Sequence, residues 1–184
     1  MRILSTLCLI FSLAAALTAA DLKFLESYKG QSTDQLIALA PAYRIDSLVL
    51  AFEQALEQKK AAGKKLSQPE SDILVIEAME REVNNGGYRQ FFSNTSGVYT
   101  TNLPAALERI GCPVAAKIAS EALASLKISG AVTAAKIKSA AAKLDNNTAA
   151  ELGKLDARYF QNTEPVAEKL FAYIQAKRHE IILK

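Results

Sequence analysis

Apolar residues return along most of this chain at steps of three and four, the spacing of one face of an α-helix, and not at the alternate positions of a half-buried strand. Ile45, Leu48, Val49, Phe52 and Leu56 predict a helix from Tyr43 to Ala62, stopped at Gly63. Ahead of it, Ser32-Thr33-Asp34 supplies N-cap residues for a short helix through Leu36, Ile37 and Leu39, ended by Pro41. Pro69 suits the first turn of a third helix running to about Val83. Its middle, Ile73-Leu74-Val75-Ile76, is apolar nearly all round, which places that helix centrally. A turn at Asn84–Gly87 leads to a short helix bearing Tyr88, Phe91 and Phe92, and Asn94–Thr101 reads as a loop. Further helices are expected from Leu103 or Pro104 to Ile110, from Pro113 through Val114, Ile118 and Leu123, and near Ala134–Leu144, Ala149–Phe160 and Val166–Ile181. The pattern predicts an all-α fold, one compact multi-helix domain without internal repeats.

The first twenty residues follow a different rule. Arg2 is followed by an apolar run from Ile3 to Leu17, broken only by Ser5, Thr6 and Ser12, and then by the small residues Thr18-Ala19-Ala20. This is the layout of a secretory signal peptide, and the run is short of the about 20 residues a membrane span needs. Residues 1–20 are therefore expected to be removed and 21–184 to form the domain, an uncleaved anchor being the alternative. Cys8 lies inside the apolar run, too early for a lipid-attachment cysteine. The mature 164 residues would bury about 70% of their unfolded surface, enough for a core without staples. They retain one cysteine, Cys112, so no intramolecular disulfide can form, and Cys112 reads as a small buried hydrophobe.

Charge narrows the function classes. The whole chain carries 22 basic and 19 acidic residues, and the mature part is net +2, with a mild gradient from −2 over residues 21–100 to +4 over 101–184. There is no dense basic stripe and no tryptophan, so nucleic acid is not an expected partner. Lys59, Lys60, Lys64 and Lys65 cluster where they would face the negative end of a helix dipole, as a solvated helix terminus does.

The densest local signal is Glu82-Val83-Asn84-Asn85-Gly86-Gly87-Tyr88, followed by Gln90, Phe91, Phe92, Asn94 and Gly97. Asparagine and glycine tolerate left-handed backbone, so a tight reversal with Gly86 at positive φ would fold the aromatic helix back onto the preceding one. Gln90 and Asn94, four apart, would offer their amides to exposed backbone groups. In this stretch the chain resembles the DNA mimic protein family. The resemblance continues through Leu107, Ile110-Gly111, Leu155-Asp156 and Tyr159-Phe160 and spans roughly residues 43–181. It implies an all-helical fold and, in the family's best-known use, a protein presenting carboxylates to a DNA-binding partner in place of phosphates. This chain lacks the acidic excess such mimicry requires, since DNA carries a charge about every 1.7 Å.

The remaining chemistry is sparse. Glu70, Asp72, Glu77 and Glu80, with Glu82 and Arg81, form an acidic patch that reads as a solvated helix face and could dock a basic partner, with Glu77 and Arg81 paired four apart. His179 is the only histidine, close to the C-terminus, and no motif joins it to Cys112. No spacing suggests zinc or calcium ligands, and no cofactor or metal is expected. The sequence is read as an exported protein-interaction module, periplasmic or extracellular, whose partner is another protein and whose oligomeric state stays open. The alternative is an envelope enzyme using Glu77, Glu80 and Glu82. If the leader is processed as expected, N-terminal sequencing of the exported protein begins at Asp21; a chain that retains residue 2 sinks the cleavage.

Overall fold

A computed structural model describes residues 22–94 and 99–184. The expected leader at residues 1–20 and Gly97 lie outside the described residues. Eight α-helices follow in chain order: α1 (Thr33–Ile37), α2 (Ile45–Ala61), α3 (Gln68–Asn94), α4 (Leu103–Arg109), α5 (Pro113–Ser125), α6 (Ala134–Ala142), α7 (Asn146–Phe160) and α8 (Val166–Ala176). A 3-10 turn at Arg178–Glu180 closes the series, and the described residues contain no strand beyond a single bridge between Lys23 and Tyr43. The all-α expectation therefore holds.

Three helix starts, those of α1, α6 and α7, are set by side chains the sequence shows. Ser32 and Gln35 form a reciprocal capping box on α1. Thr133 caps α6. Asp145 accepts the Thr148 N–H at 2.7 Å, which starts α7 at Asn146, three residues before the expected Ala149. At the other end α8 stops at Ala176 and not at Ile181, because the last residues are drawn off into hydrogen bonds with distant helices.

The middle of the molecule is α3, which packs against α2, α4, α6 and α7. Ile73, Leu74, Val75 and Ile76 are all buried, as their continuous apolar run requires. The acidic residues just before them, Glu70 and Asp72, are buried too, contrary to the solvated face read from the sequence. Glu70 is 1% exposed; it receives Lys59 Nζ at 2.7 Å and the backbone N–H groups of Ser67 and Ile182 at 2.8 and 2.7 Å. Asp72, also 1% exposed, takes a two-pronged contact from Arg109 (2.8 and 2.6 Å), the Tyr173 hydroxyl at 2.9 Å and the Gln68 amide at 2.9 Å. A buried charge persists only when its desolvation is offset by such partners, and here they come from α2, α4, α8 and the C-terminal segment. Lys59 is accordingly a near-buried strut, not a solvated end. The segment around His179 is pinned as well: Ile181 O accepts from Thr33 Oγ1 at 2.7 Å, Glu180 O from Ser67 Oγ at 2.8 Å, and Ile182 O from Lys59 at 2.8 Å.

The expected reversal lies inside α3. Helical geometry continues through Asn84 and Asn85 and breaks at Gly86 (φ −165°, ψ 22°) and Gly87 (φ 74°, ψ −176°). The left-handed residue is thus Gly87, not Gly86. Its φ/ψ pair belongs to a region essentially restricted to glycine. A Cβ on Gly87 would also sit 2.6 Å from Asp156 Cγ, whereas one on Gly86 would meet only the Gln90 side chain, 3.0 Å from its Cδ. The Gly87→Ala substitution is therefore expected to lower stability by about 2–4 kcal/mol, and Gly86→Ala by less than half of that, in urea unfolding of the two variants. Equal losses would contradict this placement of the kink.

Candidate interaction site at the helix kink

The break at Gly87 frees the Tyr88 N–H from the helix, and Asp156 Oδ1 on α7 accepts it at 2.8 Å. Burial pushes the Asp156 carboxyl up, and the Tyr88 N–H pulls it back. The Tyr88 ring, fully buried, stands edge-on to Tyr159 with centroids 6.1 Å apart and lies 6.0 Å from Phe92. Phe91 and Phe92 are buried and in contact with each other, as the aromatic spacing implied. The Tyr88 hydroxyl has no hydrogen-bond partner among the described residues, and burial raises its pKa far above the ordinary tyrosine range.

Most of the motif is spent on building this kink. Glu82, 8% exposed, accepts from the Gln90 amide at 2.9 Å and the Asn94 amide at 3.2 Å. Gln90 and Asn94 thus bind a carboxylate on the opposite arm of the same helix, not the exposed backbone groups expected of them. Asn84 donates to Glu80 O at 2.7 Å, and Asn85 is exposed. Arg81 does not pair with Glu77. It reaches Glu53 on α2 and approaches Glu82 at 3.7 Å. The two residues that hold the kink from outside, Asp156 and Tyr159, were visible beforehand only as weak continuations of the family resemblance.

Beside the kink, a groove of about 300 Å³ runs between α3, α7 and the start of α8. Glu80, Asn84, Tyr159, Phe160, Glu164 and Glu168 supply its polar and aromatic walls. Among the described residues no lysine or arginine lines it. Tyr159 donates its hydroxyl to Glu80 Oε1. Phe160, 57% exposed, is the second most exposed large apolar side chain of the described residues. Glu164 caps α5, accepting the Val114 and Ala115 N–H groups at 2.9 and 2.8 Å, so it works as a remote N-cap. Burial alone would raise the Glu164 carboxyl; those bonds and the Asn162 amide bring it below the ordinary range.

Two carboxyls here form no ion pair among the described residues. Glu77, 8% exposed, is pushed up to about 8, first by burial and then by Glu53 and Glu80, with Arg81 opposing. Glu80 is pushed up to about 7 by burial, with the Asn84 hydrogen bond opposing. Of Glu77, Glu80 and Glu82, only Glu80 lines the groove. Cys112 is fully buried and burial pushes its thiol up to about 11, so it is the packed hydrophobe expected of it, while His179 is exposed in the 3-10 turn. A larger groove of about 620 Å³ between α5 and α7 mixes Lys127, Lys154 and Arg158 with Glu121 and Glu151, and Arg158 is paired to Glu121. Three cations stand among two carboxylates there, so it presents no field of one sign. Among the described residues no helix is long and apolar enough to cross a membrane.

Because the folded state favours neutral Glu77 and Glu80, their stabilising effect is complete below the unfolded glutamate pKa of about 4.3. It is lost as pH rises through about 7 and about 8. Glu164 acts in the opposite sense, its contribution fading only in acid below the ordinary carboxylate range. The melting temperature is therefore expected to fall by roughly 5–10 °C between pH 5 and pH 9. Glu77→Gln, neutral at every pH, should flatten much of that decline; an unchanged slope in the variant would remove Glu77 from the account.

Residues 64–177, which include the kink, α7 and α8, match the DMP19-like protein family. No curated protein and no solved structure matches the chain.

Proposed function

The chain belongs to the DMP19-like protein family, and from that premise we propose that it is an exported helical protein-interaction module whose contact face is the groove at the kink. The partner is a protein that offers a basic segment. One observation carries the reading: three carboxylates, Glu80, Glu164 and Glu168, share a concave wall with an exposed phenylalanine, and no cationic side chain of the described residues lines it. Such a surface attracts a lysine or arginine by charge while Phe160 covers the aliphatic stem of that side chain. The contact is local. With a mature net charge of +2 the chain does not carry the phosphate-like field of a whole DNA surface. The pattern of residues 1–20 supports action outside the cytoplasm.

A carboxylate enzyme using Glu77, Glu80 and Glu82 has one observation in its favour, the raised pKa values of the first two. Against it, Glu82 is consumed by Gln90, Asn94 and Arg81, and only Glu80 lines the groove. Glu77, Glu80 and Glu82 are therefore not gathered as acid and base around one substrate space.

Affinity capture from an envelope extract tests the module. A stoichiometric partner should be held by the mature chain and by Glu151→Gln in the α5–α7 groove, and lost on a Glu80→Gln/Glu168→Gln double variant. Equal retention by all three proteins would place the contact elsewhere, and recovery of nothing would count against the module itself.

A further inference from the structure

We propose that Glu80 is a proton-operated gate on this groove, which grips a cationic side chain when Glu80 carries its charge and lets go when Glu80 takes up a proton. The gate rests on the interaction reading above and adds its regulation.

The three groove carboxylates are held in different ways. Glu164 is fixed by two helix N–H groups and the Asn162 amide at 3.2 Å. Glu168 stands exposed in the first turn of α8. Glu80 is wedged between α3 and α7, where it receives the Tyr159 hydroxyl and, at 3.5 Å, the Asn84 amide. No ion pair reaches it among the described residues. Around it stand Glu77, Arg81 and Asn84 on α3, with Glu53 and Asp46 of α2 beyond Glu77. Past the kink stands Tyr88, on which both Glu80 and Asp156 act; on α7 stands Tyr159, at the start of α5 is Cys112, and from the α8 side come Glu164, Glu168 and Lys169. Arg81 is engaged by Glu53 and Glu82. Lys169 acts on Glu164 and Cys112. Glu80 therefore lacks a counter-charge of its own, and burial holds its proton to about pH 7.

A cation entering the groove supplies that missing charge. It stabilises ionised Glu80, so binding expels one proton from the Glu80 carboxyl to solvent. By reciprocity, removing the proton first tightens the grip on the cation by the same factor. Glu164 and Glu168 provide a constant attraction beneath this variable one.

The probe is an acetylated, amidated hexalysine peptide, whose ammonium groups stay charged below about pH 10. Its binding to the full mature chain is measured by calorimetry at pH 6 and pH 8. Affinity should rise about tenfold, the size of one pKa unit of coupling, with proton release near pH 7. Glu80→Gln should bind equally at both pH values. Glu168→Gln should bind more weakly at both and keep the rise. Glu77→Gln, which alters a carboxyl outside the groove lining, should keep the wild-type rise. Carboxyl carbon NMR of the unliganded protein provides a check independent of any variant's folding, and the Glu80 signal should shift with a midpoint near 7. A peptide affinity sensitive to Glu168→Gln but flat with pH, or a Glu80 signal that titrates wholly below pH 5, overturns the gate and leaves the interaction reading standing. No peptide binding at either pH defeats the reading and the gate together.

Discussion

The hydrogen bond from the Tyr88 N–H to Asp156, made across a glycine, is the contact on which the arrangement of this molecule depends. A straight α3 of 27 residues would span about 40 Å, too long for a domain of this size to wrap. The break at Gly87 lets its last turns, with Phe91 and Phe92, fold into the same core as its first. Gly87 makes the break possible twice over, by accepting left-handed backbone and by leaving room for a carboxylate where a Cβ would stand. Asp156 then replaces the helical partner that the Tyr88 N–H has lost. Because Asp156 and Tyr159 lie one turn apart on α7, the same face that mends the helix also brings Tyr159 to Glu80 and Phe160 to the rim of the groove.

The acidic residues of α3 fall into two groups by how they are neutralised. Glu70 and Asp72 are buried and matched by cations and N–H or O–H groups from other elements, and Glu82 by amides across the kink of its own helix. They act as struts. Glu77 and Glu80 are buried with less compensation, so they keep their protons into the neutral range. This division explains how a chain with a slight excess of positive charge can still own a locally acidic surface. Most of the α3 carboxylates are consumed inside the fold, and the groove draws two of its three from the α7–α8 connection and α8.

Helical spacing along the chain was enough to place nearly every helix and to pick α3 as the centre, because its Ile73–Ile76 run leaves no side that water could face. The kink was legible to within one residue. Which of two adjacent glycines turns left-handed depends on what approaches from outside, and Asp156 is 68 residues from Tyr88. The acidic patch was misread for the same reason. A carboxylate on a helix looks solvated until its partners are known, and Arg109, Tyr173 and Ile182 come from other elements 37 to 112 residues away. The groove had no local signature at all. Glu164 sits in a connection that reads as an ordinary turn, and its role as the cap of α5, 50 residues earlier, exists only after folding.

The clamp of Ile181, Ile182 and Leu183 against Thr33, Lys59 and Glu70 bears on when this protein can fold. Ile181 and Leu183 are buried, and Glu70 is not fully satisfied until Ile182 arrives. That junction of α1, α2 and α3 closes only when residues 181–183 are in place, so the bundle is sealed by pairings 112 to 148 residues apart and its N-terminal half cannot finish the core alone.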